Sequence, residues 1–197
     1  LPALAGGHDL VVTSWDILSG DVKPAETVLF YDDNGSQQSM SAAEMIVRAG
    51  STLEIVTPER TFAPEIGPLN HVPYMRALRR HDVAITITTR VRAVRRDGNA
   101  LVADLSSDFA EGWRDERRVD QVVVDHGLTP TDELYFKLVP SSMNKGIIDY
   151  PKLIAGEWPF PQANPDGAFV LYRIGDAVQS RNIHAAVYDG LRYSLLI

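Results

Sequence analysis

The residues best placed to do chemistry fall in two short turns. The first is Asp33-Asn34-Gly35-Ser36-Gln37-Gln38-Ser39, between an apolar run and a helical pattern. Such a turn can seat an anion, because the first amides of a helix lack internal acceptors and the helix dipole is positive there. The usual pyrophosphate-binding pattern is G-x-G-x-x-G, whose glycines let phosphates approach the backbone. Laid on that template, the three glycine positions fall on Asn34, Ser36 and Ser39, and Gly35 alone is glycine. The ribose-binding carboxylate expected after the second strand is also absent, with Thr57 there and Glu59 beyond. Two readings stand: a scaffold that has lost cofactor binding, or a nucleotide site that uses the Ser36 and Ser39 hydroxyls. The second turn is Ile174-Gly175-Asp176-Ala177, ahead of a final helix. Asp176 there either accepts a hydrogen bond from a ligand hydroxyl or caps the helix.

Other chemistries find little support. The histidines are His8, His71, His81, His126 and His184, and no pair has the spacing of a helical metal site. His126 follows a buried strand, as a cleft residue or as a plain turn residue. No G-x-S-x-G elbow occurs. With no cysteine, the chain itself cannot hold an iron–sulfur cluster, a thiolate zinc site or a disulfide. A net charge of −7 argues against a nucleic-acid partner. No apolar run is long enough for a membrane helix, and a cytoplasmic location is expected. The arginines at 79–80, at 90, 92, 95 and 96, and at 114, 117 and 118 are mixed with aspartates and glutamates and fall partly on the hairpin strands. They read as solvated faces, with inter-domain salt bridges the lesser alternative.

Positioning these turns requires a particular set of elements. The 197 residues suit one domain or two small modules. His8 to Gly20 reads as an extended strap followed by a turn of helix. Val28-Leu29-Phe30-Tyr31 has the continuous apolar character of a buried parallel strand. The helix after the first turn carries Met40, Ala43, Ile46 and Val47 on one face and stops at Gly50. Leu53 to Thr57 is the second strand, completing a βαβ unit over residues 28–57. A helix over Asn70–Arg80 should face Val72, Met75 and Leu78 inward, with Ala77 a further candidate, ahead of a short strand near Val83–Ile87. Asp97-Gly98 marks a hairpin between Arg90–Val94 and Ala100–Ala103. Trp113–Val119 completes a meander, and Gln121–Asp125 returns to the sheet. Short helices follow around Asp132–Val139 and Asp149–Ala155, then a strand at Ala168–Ile174. The last helix, Asn182 to Leu195, gathers Ile183, Val187, Leu191 and Leu195 on one stripe. The fold class is α/β, a Rossmann-like parallel sheet with a three-stranded antiparallel meander.

Four segments in order resemble one family. They are Val12 to Gly20, the β-turn-α of residues 28–57, Val122 to Tyr135 (with Asp125-His126-Gly127 and Pro130-Thr131-Asp132-Glu133-Leu134), and Ile174-Gly175-Asp176-Ala177 through Arg192. Together they are similar to the C-terminal nucleotide-binding-like region of the NADH:flavin oxidoreductases of the 2,4-dienoyl-CoA reductase and trimethylamine dehydrogenase type. The resemblance implies a strap at 1–21, an NAD(P)-type domain with a degenerate fingerprint at 22–125, and the returning half of an FAD-type domain at 126–197. It implies a parent enzyme with FMN in a barrel and a four-iron (4Fe-4S) cluster, with ADP, FAD or NAD(P) as further candidate ligands. The Gly175-Asp176-Ala177 element would contact flavin in the reductases. The departures are the absent barrel, the absent cluster cysteines and the absent FAD-type glycine half. The loop over Asn34–Ser39 looks more like that of the amine dehydrogenases and N-demethylases, whose electrons leave to a carrier protein. The chain, opening on Leu1 without Met, is read as a C-terminal piece of such an enzyme. By itself it is expected to hold no cofactor and no catalytic residue, and to form a homo-oligomer. Its partners would be the barrel and FAD-like half of its own polypeptide. The other readings are an NAD(P)H-docking domain of an enoate or dienoyl-CoA reductase, and a free-standing non-catalytic scaffold.

Overall fold

Val28 to Tyr31 form the centre of a strand whose two faces are both covered, which is why the run shows no polar alternation. In this computed structural model, which describes residues 4–195, strand β2 (Thr27–Asp32) lies in the middle of a five-stranded parallel sheet. With β1 (Val12–Thr13), β3 (Thr52–Val56), β4 (Ala84–Thr86) and β8 (Gln121–Asp125), the order is β1-β8-β2-β3-β4. Val28 and Phe30 point toward helices α1 (Ser14–Ser19), α2 (Gln37–Arg48) and α3 (Pro68–Arg79), in a core with Ile17, Met40, Ile46 and Leu78. Leu29 and Tyr31 point the other way, into a core with Val91, Val94, Leu101 and Leu105. Those residues belong to the antiparallel meander β5 (Arg90–Asp97), β6 (Ala100–Ser107) and β7 (Ala110–Val119). The sheet and meander are those expected from the sequence.

Local signals explain the boundaries. Thr13 and Asp16 form a reciprocal capping box at the start of α1, the Asp16 amide donating to Thr13 Oγ1 at 3.2 Å and the Thr13 amide to Asp16 Oδ2 at 2.7 Å. Gly20 ends that helix at φ 82°. The meander arginines are paired across strands: Arg90 with Asp108, Arg95 with Glu116 and Asp104, and Arg118 with Asp97. Arg117 reaches Glu54 of β3 at 2.8 Å, tying the meander to the parallel sheet. In α3 Leu78 is buried, with His71, Tyr74 and Met75 half-buried on the same face, while Val72, expected inward, is exposed because it lies about 100° around the helix from that face.

The chain divides into two compact units, the first ending at Gly127 and the second beginning at Leu128. The second contains helices α4 (Glu133–Leu138), α5 (Tyr150–Ala155) and α6 (Ile183–Ser194), and a 3-10 turn at Gly175–Ala177. Its small core joins Leu153, Phe160 and Tyr193. Tyr172 stacks on both aromatic rings of that core, at 5.2 and 4.9 Å between centroids. The strand expected at Ala168–Ile174 does not form. Its backbone is served instead by a loop: the Met143 amide donates to the Phe169 carbonyl at 2.8 Å. Buried Asn144 donates from Nδ2 to the Leu171 carbonyl and accepts the Leu171 amide, at 2.8 and 2.9 Å. A strand needs a partner strand, and here a single amide side chain takes that place.

Candidate functional site

The β2–α2 turn is organised by two aspartates that end neighbouring strands. Asp32 of β2 and Asp125 of β8 are register partners, and both carboxylates are buried. Asp32 Oδ1 accepts from the Gly35 amide at 2.8 Å, the Asn34 amide at 3.2 Å and Ser39 Oγ at 2.7 Å. Ser39 Oγ also lies 3.0 Å from Asp125 Oδ2, which accepts from Ser14 Oγ at 3.2 Å. Asn34 Nδ2 donates to Asp125 Oδ1 at 3.1 Å and to Ser36 Oγ at 2.9 Å. The Gly127 amide donates to Asp125 Oδ1 as well, at 3.1 Å. Asn34, Gly35, Ser36 and Ser39 are thus brought together: Asn34, Gly35 and Ser39 donate to the protein's own carboxylates, and Ser36 accepts from Asn34.

This arrangement has consequences for charge. One hydroxyl proton on Ser39 can serve only one of its two carboxylate neighbours at a time. Asp32 Oδ2 is buried and has no hydrogen-bond partner. Burial, together with the nearby Asp125 charge, pushes the Asp32 carboxyl above the usual carboxylate range, against the hydrogen bonds from Ser39, Gly35 and Asn34 that pull it down. Beside the pair, burial and then the Asp33 charge push the Tyr31 hydroxyl up to about 12. Tyr31 meets the His126 ring edge-on at 5.5 Å. His126 Nδ1 lies 3.1 Å from Asp33 Oδ1, so His126 closes the turn. Thr57 is buried, and its hydroxyl accepts the Glu59 amide at 3.2 Å.

Gly35 is required twice over. Its φ is 69°, and a Cβ there would lie 2.6 Å from Pro64 Cδ. Ser36 occupies the N-cap of α2, but its side chain makes no capping bond to that helix. The other turn lies in the second unit. Gly175 adopts φ 56°, and its amide donates to Asp189 Oδ2 at 3.2 Å. Asp176 is exposed and does not cap α6. That role belongs to Asn182, whose Oδ1 accepts the Ala185 amide at 2.9 Å. The reason is distance along the chain: the 3-10 turn at Gly175–Ala177 and a five-residue link separate Asp176 from the helix start. Ala177 contributes its carbonyl to Arg173 at 3.3 Å.

Asp32 and Asp125 were missed by sequence reasoning. Both end apolar runs, Leu29-Phe30-Tyr31-Asp32 and Val122-Val123-Val124-Asp125. An aspartate in that position reads as a turn former until the register sets the two side by side.

The relatives are consistent with this fold and specify its lineage. A protein of Rhizobium meliloti (strain 1021) named "Probable N-methylproline demethylase" is 51% identical over 96% of this chain. An "N,N-dimethylglycine/sarcosine dehydrogenase" of Chromohalobacter salexigens is 40% identical over 94% of it. These relatives and the solved structures below are oxidoreductases related to the dienoyl-CoA reductase and trimethylamine dehydrogenase family that the four segments resemble. The chain spans 28% and 27% of the lengths of the two relatives. No family model matches the sequence. Among solved flavin oxidoreductases, histamine dehydrogenase from Rhizobium sp. 4-9 matches 99% of the chain and 26% of its own length, with TM-score 0.64 and 22% identity. A 6-hydroxypseudooxynicotine amine oxidase from Pseudomonas geniculata N1 matches 100% of the chain and 24% of its own length, with TM-score 0.64 and 24% identity. These two share the fold. No helix among the described residues is long and apolar enough to cross a membrane.

Proposed function

We propose that this chain is the nucleotide-binding-like part of a flavin-dependent amine dehydrogenase or N-demethylase acting on small N-methylated amino acids. The observation that carries this reading is the 51% identity, over nearly the whole chain, to a protein named as an N-methylproline demethylase. Residues 22–125 are then the NAD(P)-type domain, residues 126–197 the returning half of an FAD-type domain, and residues 1–21 the strap. FMN and a four-iron cluster would be held by residues outside this chain, which has no cysteine. Electrons would pass to a carrier protein.

The chain's own contribution in this reading is structural. The residues of the β2–α2 turn do not fit a pyrophosphate. The Asn34 and Gly35 amides are already committed to Asp32, and two buried carboxylates share their network. Further anionic charge against that pair would be repelled in a weakly screened interior. The test is the natural polypeptide that carries this chain, incubated with N-methylproline and an artificial electron acceptor. Formaldehyde release is the expected result. NADH-dependent reduction of an activated alkene with no formaldehyde released would overturn the proposal in favour of a reductase.

A further inference from the structure

All three arginines of residues 128–197, namely Arg173, Arg181 and Arg192, line one cavity of about 220 Å³ within the second unit. Asp189 is the one acidic residue in the lining. In a chain of net charge −7 this is a local reversal of sign.

The guanidinium groups are held in place before any ligand arrives. Arg173 is ion-paired with Asp132, and lies 4.6 Å from the centroid of the Tyr135 ring. Arg181 is paired with Asp189. Arg192, one turn along α6, lies 3.8 Å from the other Asp189 oxygen and 4.9 Å from the Tyr193 ring centroid. Asp189 is itself 6% exposed and also accepts the Gly175 amide. One carboxylate therefore serves two guanidinium groups and a backbone amide. The Arg192 Nε is buried with no acceptor at all. The charge and the donors both exceed what the protein supplies to meet them.

From this geometry we infer that the cavity is a binding site for a phosphate group, either free or as the phosphomonoester of a small molecule. Such a group carries a charge of about −1.5 to −2 and three terminal oxygens, matching three convergent guanidinium groups. The cavity is smaller than the roughly 300 Å³ at which sites for drug-sized ligands begin, so a dinucleotide does not fit inside it. None of Gly175, Asp176 and Ala177 lines it, although the Gly175 amide is bound to Asp189 and the Ala177 carbonyl to Arg173 in its wall. Tyr135 and Tyr150 border the cavity as well, and a substituent on the phosphate would lie against them.

The test is calorimetry on the 197-residue chain at low salt, with inorganic phosphate, phenyl phosphate and benzoate as probes. Saturable one-to-one binding of a phosphate probe, at or below about 1 mM, is expected. Arg192→Met should weaken it at least tenfold, Arg192→Lys should weaken it less, and Lys152→Met, outside the cavity, should leave it unchanged. Phenyl phosphate binding more tightly than inorganic phosphate marks an esterified ligand, and equal affinities mark the free ion. Should the arginine variants misfold by circular dichroism, phenylglyoxal labelling of the unmutated chain decides the matter. Phosphate should protect Arg181 and Arg192 at least threefold. Absent binding, benzoate binding as tightly as phenyl phosphate, affinity unchanged in a folded Arg192→Met, or unprotected arginines would each overturn the site.

Discussion

Asp32 and Gly35 show how much of the β2–α2 turn rests on single residues. The Asp32 carboxyl titrates above its unfolded value near about 3.9, so folding favours its neutral form. Its contribution to stability is greatest below that unfolded value and is lost as pH rises through the raised native one. Asp125, Ser39 and Asn34 are the polar neighbours that set this balance. Asp32→Asn keeps an acceptor at Oδ1 and cannot ionise. Relative to this variant, the unmutated chain should lose stability between pH 4 and 7.5, as read by urea melts at both values. A gap independent of pH would show that Asp32 titrates normally. Gly35→Ala meets both an unfavourable φ and the Pro64 ring, and should cost about 1–3 kcal/mol. Thermal melts of this variant with an intact far-UV spectrum check it.

Among the elements, α6 separates the roles of two similar side chains. Asn182 caps it through its side chain, so Asn182→Ala should cost about 1 kcal/mol. Asp176 is exposed and caps nothing, so Asp176→Ala should stay within about 0.5 kcal/mol of the parent. Denaturant midpoints of the two variants should differ in that order, and equal losses would contradict the assignment. The same helix turns Asp189 and Tyr193 inward, while Ile183, Val187, Leu191 and Leu195 face solvent. Its periodicity was legible from the sequence. Which of its faces would be covered was not, because burial depends on what stands opposite.

For the chain as a whole, two measurements test the proposed structural role. Calorimetry should return NADH and NADPH affinities weaker than about 100 μM, roughly −5.5 kcal/mol. Low-micromolar binding would show that the turn at Asn34–Ser39 opens to accept a pyrophosphate. The exposed apolar stripe of α6, with Leu134, Phe136 and Ile154 also exposed, should drive self-association. Light scattering should therefore give an apparent mass that rises with concentration. A monomer unchanged across a hundredfold dilution series would refute this.

The sequence by itself determined the βαβ unit, the meander and the helix limits, because those rest on local rules: apolar runs, Asp97-Gly98, Gly20 and Gly50. It also determined that this chain cannot ligate a cluster through thiolates. Only the tertiary structure decided the rest. Asp32 and Asp125 are 93 residues apart and meet through the parallel pairing of β2 and β8. Ala168–Ile174 has strand composition, yet Asn144 and Met143 satisfy its backbone where a partner strand would. Arg173, Arg181 and Arg192 converge on one cavity although nothing in their spacing marks them as a set. In each case the deciding contact is long-range, and a chain reveals such contacts only when it is folded.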